Sequence, residues 1–262
     1  MIDLHTHIIP EVDDGSSSLE ESLEMLKIAE ADGITKMVAT PHTFSFASKV
    51  DKPLRLKAAF SKLKKEIEKS DISIEIFMGS ENYLVSGLRE NIKKCRKILT
   101  INNSDYFLLE FPMNFIYPGT KEFIFDILND GFIPVICHPE RNTVIQEDIS
   151  ILYDLLVAGA LCQVDAGSLN GSFGTLPGET ADKLLKFNLV HTIASDCHNT
   201  GTRPPGLSFL YKELKWVEEE KIDLFLKDIP ESIINNIGIP DIGPLKDPKA
   251  SKSIFSIFRR GE

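Results

Sequence analysis

The sequence has only four cysteines, and no two of them form a C-x-x-C pair. They are Cys95, Cys137, Cys162 and Cys197. This scatter argues against a disulfide framework and against a zinc site built on thiolates, and it suits a reducing compartment. The first apolar stretch is interrupted by Asp3, His5 and His7, unlike a signal peptide, and no apolar run approaches the ~20 residues of a membrane span. We therefore expect a cytoplasmic protein without a transmembrane segment.

Positive charge is also scarce. The 29 lysines and arginines are outnumbered by 39 aspartates and glutamates, which gives a formal net charge of −10. A nucleic-acid backbone is therefore an unfavourable partner, although this balance does not oppose a local basic pocket for one phosphate. With 262 residues, 42% of them hydrophobic, the chain can bury one large core or two modest ones. The sequence does not indicate an oligomeric state.

Apolar, β-branched runs of strand length alternate seven times with segments of helical periodicity. The first helix carries the clearest signals, with Ser18 and Glu21 spaced as a capping box and Gly33 as a stop. Such units with short connections predict parallel strands joined by right-handed crossovers. The predicted strands are 2–5, 36–40, 73–78, 105–111, 133–137, 161–166 and 190–195. The predicted helices are 19–32, 53–69, 86–95, 119–129, 148–158, 177–187 and 206–219.

The choice of architecture lies between a closed barrel and an open doubly wound sheet. No G-x-G-x-x-G motif follows an early strand, and we predict an α/β fold over residues 1–238, a TIM-like barrel one unit short of (β/α)8. Residues 239–262 are rich in proline, lysine and serine and end in SIFSIFRRGE. We interpret them as an extended, solvated tail, with docking on another subunit or on a membrane surface as the alternative.

Residues with metal-binding side chains collect where the predicted strands end. Five of the six histidines lie at or just beyond a strand end, and acidic residues repeat the pattern. In a parallel barrel these ends meet on one face, where such enzymes place their chemistry. A single H-x-H pair is weak evidence, but the whole set predicts a metal centre at the C-terminal ends of the strands. The set is His5, His7, Asp14, His42, Glu81, Glu110, His138, Asp196 and His198.

The spacing and chemistry of this set bear on the ions it would hold. His5 and His7 are two residues apart in a strand, so both can reach one ion. Nine ligands are too many for one ion that takes about four to six, so we expect two or three ions sharing a bridging carboxylate. Imidazole and carboxylate without thiolate suit manganese, iron or zinc. We interpret His191, inside the last strand, as structural, and assign orienting roles to Asp3 and Asp13.

Six motifs occur in order from residue 2 to about residue 237: DLHTHIIPEVDDG, ATPH, GSE, LLEF, CHPERN, and SDCHN followed by RPP. They resemble the polymerase and histidinol phosphatase (PHP) superfamily, and within it the CpsB/CapC-type tyrosine phosphatases of bacterial capsule and exopolysaccharide systems. The resemblance implies a distorted (β/α)7 barrel with three divalent ions, commonly manganese, with iron or zinc as alternatives. It implies as substrate the phosphotyrosine cluster of a cognate cytoplasmic tyrosine kinase.

The resemblance also implies a partition of the ligands. The first ion takes His5, His7, Glu81 and Asp196, the second takes Glu81, Glu110 and His138, and the third takes Asp14, His42 and His198. The chain departs from the family at two places. The family often has a second histidine and a basic residue after the PH motif, where this chain reads PHTFSFASKV, and a small residue where Cys197 stands. We therefore expect the loop after His42 to differ in reach or specificity.

For the reaction, we expect water activated by the ions to attack the phosphorus in line. Arg141 of CHPERN and Arg203 of the RPP segment follow ligand-bearing strand ends, and an arginine fork matches phosphate geometry. We assign both to the phosphoryl oxygens, against the alternative of surface salt bridges. The leaving phenol has an ordinary pKa of ~10, so acid assistance is useful without being critical. Asp196, His198 or a metal-bound water is a candidate donor.

Three functions are alternatives to a metal-dependent tyrosine phosphatase. The same metal site would serve a histidinol-phosphate or other small-molecule phosphatase. Cys197 and Arg203 form a C-x5-R spacing that cysteine-dependent phosphatases use, but Pro204 and Pro205 remove amide donors where a phosphate-binding helix would begin. A non-enzymatic scaffold would require a degraded site, and no ligand position is visibly lost.

Overall fold

Nine short strands carry the fold in the computed structural model, which describes residues 1–44 and 53–250. The strands are β1 Ile2–Thr6, β2 Lys36–Ala39, β3 His42–Thr43, β4 Glu75–Met78, β5 Glu81–Tyr83, β6 Tyr106–Glu110, β7 Ile133–Cys137, β8 Leu161–Asp165 and β9 Thr192–Ala194. The helices are α1 Leu19–Ala31, α2 Pro53–Ile67, α3 Leu88–Lys94, α4 Arg96–Leu99, α5 Thr120–Asn129, α6 Thr143–Glu147, α7 Ser150–Val157, α8 Ala166–Leu169, α9 Thr175–Lys186, α10 Leu210–Glu213, α11 Glu219–Asp223 and α12 Ile229–Ile234. No helix within the described ranges combines the length and the apolar character needed to cross a membrane.

The strands are all parallel and fill seven positions. One sheet has the order β1-β2-β4, and the other has the order β3-β5-β6-β7-β8-β9. β3 continues the line of β2, and β5 continues that of β4, because Gly79 N donates to Ala39 O and Glu81 N donates to Pro41 O across the breaks. The segment after β9 returns to β1, where Asp196 N donates to His5 O at 3.0 Å. Each position therefore has a neighbour on both sides, and the predicted seven-unit α/β fold is confirmed.

Two apolar clusters hold the barrel together. One joins side chains of β1, β2, β6, β7 and β8, which face one another across the interior, and Ile229 and Ile233 of α12 cover it at one end. The larger cluster joins the alternate strand residues to the surrounding helices. This two-sided burial explains the nearly continuous apolar runs of β6 and β7. It leaves the opposite end of the barrel, where the strands finish, free for polar side chains.

The local signals of α1 are confirmed. Ser18 is its N-cap, and the Ser18 hydroxyl accepts a hydrogen bond from Glu21 N at 3.1 Å. In a capping box the Glu21 carboxylate would accept from the amide of the N-cap residue Ser18. Here it accepts from Ser17 N, one residue earlier, at 2.8 Å. Gly33 lies at φ +88°, a left-handed conformation that glycine adopts without strain.

The predicted helix over 206–219 is wrong. Within this range only Leu210–Glu213 and Glu219, the first residue of α11, are helical. The carboxylate of Asp32 accepts hydrogen bonds from Leu207 N and Ser208 N and holds the beginning of the range as a turn. Helical structure instead runs through α11, a π-helical segment at Leu224–Asp228, and α12. Pro230 lies in the first turn of α12, where a missing amide hydrogen costs little.

Residues 239–246 pack on the barrel. The Asn188 side chain donates to the carbonyl oxygens of Ile242, Gly243 and Pro244 at 2.9–3.1 Å, and Lys246 N donates to Phe187 O. This stretch has no regular secondary structure. The SIFSIFRR segment lies outside the described residues, as does most of the loop after His42, so the division into a barrel and a tail stays a prediction.

Candidate metal centre

All nine predicted ligands lie at the C-terminal end of the barrel. A cavity of about 220 Å³ opens there, and its lining includes both predicted arginines. His5, His7 and Glu81 are fully buried beneath it. The breaks in the second and third strand positions matter here, because the short continuations β3 and β5 begin with His42 and Glu81. The cavity is lined by Asp14, His42, Glu110, Met113, His138, Arg141, Asp196, His198 and Arg203.

Four side chains converge on one point at the floor of the site. The Nε2 atoms of His5 and His7 lie 3.2 Å apart. Glu81 Oε2 lies 3.3 Å from His5 Nε2 and 3.4 Å from His7 Nε2. On the other side, Asp196 Oδ1 lies 3.4 Å and 3.3 Å from the same two nitrogens. The expectation that the H-x-H pair directs both rings to one place is confirmed.

Hydrogen bonds on the far side of the rings point their Nε2 atoms inward. His5 Nδ1 donates to Gln163 Oε1 at 2.9 Å, and His7 Nδ1 donates to Asp13 Oδ2 at 2.8 Å. His198 Nδ1 donates to Asp196 O at 2.9 Å. This is the usual arrangement behind a metal-ligating imidazole, because it leaves a lone pair on Nε2. Asp13 therefore orients His7 as predicted.

Asp3 does not orient the His5 ring, and that assignment was wrong. Its carboxylate accepts from two backbone amides, Ser195 N at 3.0 Å and His5 N at 3.4 Å. Residues i and i+2 of a strand share a side, but the Asp3 carboxylate is engaged by backbone amides and Gln163 accepts from the His5 ring instead. Asp3 instead holds the junction between β1 and the end of β9.

The remaining ligands surround the floor. His42 Nδ1 lies 2.8 Å from Glu81 Oε2 and 3.4 Å from Glu110 Oε2, while its Nε2 lies 3.4 Å from Asp14 Oδ1. His138 Nε2 lies 2.7 Å from Glu81 Oε1. The donor atoms form four overlapping groups, each within 4.8 Å: His7, Asp14, His42 and His198; His5, His7 and Glu81; His5, His138 and Asp196; and His42, Glu81 and Glu110.

The residues present fit divalent cations. In the described ranges, eight buried side-chain N or O atoms have no hydrogen-bond partner, and five of them belong to predicted ligands. Such atoms are costly, at about 1–3 kcal/mol each, unless something satisfies them. Hard oxygen and imidazole donors without sulfur suit manganese, iron or zinc. The five atoms are His42 Nδ1, Glu81 Oε2, Glu110 Oε2, Asp196 Oδ1 and His198 Nε2.

The electrostatics of the site also favour bound positive charge. Burial opposes ionisation of Glu81, yet the neighbouring His42 and His5 hold the pKa of Glu81 well below its ordinary value. Burial likewise lowers the pKa of His5, but the charges of Glu81 and Asp196 raise that pKa well above normal. Glu81 thus remains ionised, as a metal ligand must be, and its buried negative charge favours positive charge in the site.

Arg141, in the segment after β7, and Arg203, in the segment after β9, both donate to the carboxylate of Asp196. Arg141 Nη1 donates to Asp196 Oδ2 and to Asp165 Oδ2, both at 3.0 Å. Arg203 Nη2 donates to Asp196 Oδ2, and Arg203 Nε has no partner. The ring of Phe173 lies against both guanidinium groups, with its centroid 4.5 Å from Arg141 Cζ and 5.3 Å from Arg203 Cζ. Both arginines therefore face the cavity from a shared apolar support.

The backbone is strained at two of the ligands. His138 has φ 33°, and Asp196 has φ 52°. Non-glycine residues rarely adopt positive φ, at a cost of about 1–3 kcal/mol each, and such residues concentrate at functional sites. His138 directly follows β7, and Asp196 lies just beyond β9, so the left-handed turns set the positions of two ligands at the strand ends.

Three residues of the site were missed in the sequence. Gln163 Nε2 donates to Asp165 Oδ1 at 2.9 Å, so these two residues connect the His5 ring to Arg141. They stand at alternate positions of buried β8, and two polar residues at that spacing in a buried strand resemble the H-x-H signal. Phe173, in the loop between α8 and α9, had no such signal, because its role depends on two arginines that are distant in sequence.

The two residues predicted to be outside the metal chemistry stay outside it. Cys197 is fully buried, and burial, reinforced by the charge of Asp3, raises the pKa of its thiol well above normal. A buried neutral thiol that does not line the cavity cannot serve as a nucleophile, which argues against the C-x5-R reading. His191 Nδ1 accepts from Cys162 N at 3.1 Å, as expected of a structural histidine.

Comparisons with known proteins agree with this geometry. The family model for capsular polysaccharide synthesis, CpsB/CapC, matches residues 1–235. CapC of Staphylococcus aureus is 34% identical over 255 residues, covering 96% of this chain and 98% of that protein. The tyrosine-protein phosphatase YwqE of Bacillus subtilis (strain 168) is 35% identical over 236 residues, covering 90% and 89%. Crystal structures are known of YwqE from Bacillus subtilis and of CpsB from Streptococcus pneumoniae, which are unique metal-dependent tyrosine phosphatases. One chain of those structures superposes on this chain with a TM-score of 0.88 and 33% sequence identity. The match covers 94% of this chain and 99% of that one.

Proposed function

The chain belongs to the CpsB/CapC family of capsular polysaccharide synthesis, and from this premise we propose that it is a metal-dependent protein-tyrosine phosphatase. The observation that carries the proposal is the convergence of nine imidazole and carboxylate ligands with two arginines around one cavity of about 220 Å³. A phosphomonoester needs such a site, because its negative charge must be neutralised before a nucleophile can approach.

Three divalent ions, with manganese favoured, account for the ligand set. One would be held by His5, His7, Glu81 and Asp196, whose donor atoms meet at the floor of the site. The second would be held by Glu81, Glu110 and His138, with His42 adjacent. Asp14, His42 and His198 would hold the third. Glu81 reaches toward two of these positions with its two oxygens, as a bridging carboxylate does.

The ions would neutralise the phosphoryl charge and make a nucleophilic water available near neutral pH. The chain's own residues position the substrate. Arg141 and Arg203 line the cavity, and an arginine fork there can donate to phosphoryl oxygens. Asp196 and His198 would be engaged as ligands, which leaves a water molecule of the site as the proton donor. Weak assistance is sufficient because a phenol with a pKa of ~10 is a fair leaving group.

The partner follows from the family resemblance. We expect the substrate to be the phosphotyrosine-containing tail of a bacterial tyrosine kinase that controls capsule or exopolysaccharide synthesis, and the site of action to be the cytoplasm. All four cysteines are unpaired thiols, which suits a reducing compartment.

The proposal is tested with metal-depleted protein and defined substrates. Activity on a phosphotyrosine peptide should be lost on chelation and restored by Mn²⁺, with Fe²⁺ and Zn²⁺ compared alongside. Replacement of His5 and His7 with alanine should remove bound metal and activity together, whereas Cys197→Ala should remain active. Metal-dependent turnover by the double variant would contradict the ligand assignment.

Substrate class is decided in the same assay. A protein-tyrosine phosphatase should prefer the phosphotyrosine peptide to histidinol phosphate and to a phosphoserine peptide of the same sequence. Faster turnover of histidinol phosphate would instead assign a small-molecule phosphatase with the same metal site. Chelator-resistant activity that is lost in Cys197→Ala would assign a cysteine mechanism.

A further inference from the structure

An uncharged, partly exposed loop follows the ligand Glu110 and lies beside the metal cavity. Residues 111–119 read FPMNFIYPG and contain no Asp, Glu, Lys or Arg, in a chain of which 26% is charged. Three large apolar side chains of this loop are exposed: Met113 by 39%, Phe115 by 44% and Tyr117 by 40%. We call these three side chains the aromatic shelf. They are three of the eight exposed large hydrophobic residues in the described ranges, and this clustering marks the shelf as a binding surface.

The shelf is continuous with the site. Met113 lines the metal cavity itself. The rings of Phe115 and Tyr117 pack edge to face at a centroid distance of 5.0 Å. Beyond Tyr117 a second cavity of about 320 Å³ begins, with Leu84, Val85 and Phe123 among its lining residues. An apolar path therefore leads from the metal cavity across the shelf to a second, mainly apolar hollow.

The shelf is held in place by the motif that carries Arg141. The Asn142 side chain donates to Pro112 O at 2.6 Å and to Phe115 O at 3.2 Å, and Thr143 N donates to Met113 O at 2.8 Å. The Asn142 carboxamide oxygen also caps α6. The position of the shelf is thus tied to the guanidinium proposed to bind phosphate, which preorganises both for one ligand.

From these observations we infer that the aromatic shelf binds the peptide segment next to the phosphotyrosine, so that the substrate is a polypeptide with apolar residues beside the phosphorylated tyrosine. The inference rests on the proposed phosphatase function. A small phosphate ester would fill the metal cavity, which Met113 lines, and leave Phe115 and Tyr117 uncovered. The absence of acidic residues on the loop also suits an anionic phosphopeptide, because it adds no local repulsion to the net charge of −10.

The test compares two substrates that share the aryl phosphate linkage. One is p-nitrophenyl phosphate, and the other is a phosphotyrosine peptide with leucine or phenylalanine on either side of the tyrosine. In the double variant Phe115→Ser with Tyr117→Ser, the ratio of kcat/KM for the peptide to kcat/KM for p-nitrophenyl phosphate should fall about tenfold, mainly through KM, because buried aromatic contacts dominate such interfaces. Alanine in place of the flanking apolar residues of the peptide should lower the ratio similarly in the unmodified protein.

Phe125→Ser is the matched control, because Phe125 is 65% exposed on α5 and lines neither cavity. This variant should leave the ratio within twofold. Equal losses on both substrates in the double variant, or an unchanged ratio, would overturn the inference while leaving the phosphatase function in place. Dissociation of an oligomer by the double variant in sedimentation velocity would also overturn it, in favour of a second copy on the shelf. Failure of metal-loaded protein to hydrolyse either substrate would overturn the proposed function as well.

Discussion

Acid destabilisation of this protein should depend on His191, which lies outside the metal centre. The side chain is buried just before β9, and its Nδ1 atom accepts a hydrogen bond from Cys162 N. Burial, helped by the positive charge of Lys221, lowers the pKa of His191 to about 4 from 6.5. The folded protein therefore keeps a neutral imidazole at pH values where the unfolded chain binds a proton.

The sign and size of the effect follow from this difference. Because the folded-state pKa is the lower one, the stabilisation is fully present above a pH of about 6.5 and is lost as the pH falls towards 4. With about 1.4 kcal/mol for each pH unit between the two pKa values, the loss is about 1 kcal/mol at pH ~5.5 and approaches about 3 kcal/mol below pH ~4.

The assay compares the protein with His191→Asn, which keeps an acceptor for Cys162 N and does not titrate. Urea unfolding followed by circular dichroism at pH ~7.5 and ~5.5 should show that the unmodified protein loses about 1 kcal/mol more of its free energy of unfolding than the variant. Lys221→Met, which removes a charge that lowers the His191 pKa, should reduce this extra loss. Metal release at acid pH affects all three proteins alike. Equal losses in the protein and in His191→Asn would refute the reasoning.

Three further variants test residues of the site. Gln163→Leu removes the acceptor of His5 Nδ1 and should weaken metal binding about 10- to 100-fold in a chelator competition. Gln146→Leu, at the chain's other glutamine, should leave the metal affinity unchanged. Equal metal affinities of the two variants would contradict the orienting role of Gln163. Phe173→Leu removes the ring that lies against Arg141 and Arg203. It should raise the inhibition constant for inorganic phosphate about three- to tenfold and leave the metal content unchanged. Loss of metal in this variant would instead indicate that Phe173 acts in folding. Gly15→Ala places a Cβ against the backbone oxygen of His7 and should cost about 1–3 kcal/mol of stability. Gly238→Ala, with open space around it, should cost little. Similar thermal unfolding of the two variants would show that the turn at Gly15 tolerates a side chain.

Much of the fold could be predicted from the sequence, because strands buried on both faces carry short runs of apolar residues. Each of the seven predicted strands overlaps an observed one. The capping signals of α1 are local, so they too were correct almost to the residue. The helical end of the chain was misjudged because its features are not local. Asp32, far away in sequence, fixes the turn at Leu207 and Ser208, and Pro230 is tolerated only through its place in the first turn of α12.

The metal centre shows the same division between local and distant information. The sequence alone determined which residue types stand at the strand ends, and the fold of parallel strands then requires those ends to meet at one face. For that reason all nine predicted ligands and both arginines lie around one site. The i, i+2 spacing of His5 and His7 likewise determined that both rings face inward.

Only the tertiary structure decided which groups support those ligands. Gln163 rather than Asp3 accepts from the His5 ring, because the Asp3 carboxylate is engaged by the backbone amides of Ser195 and His5. Phe173 supports two arginines, and Asn142 ties the aromatic shelf to Arg141, through contacts between segments that no spacing in the sequence connects. Periodicity determines the side of a strand on which a residue lies, whereas the partner it meets there depends on how the other strands and loops are packed around it.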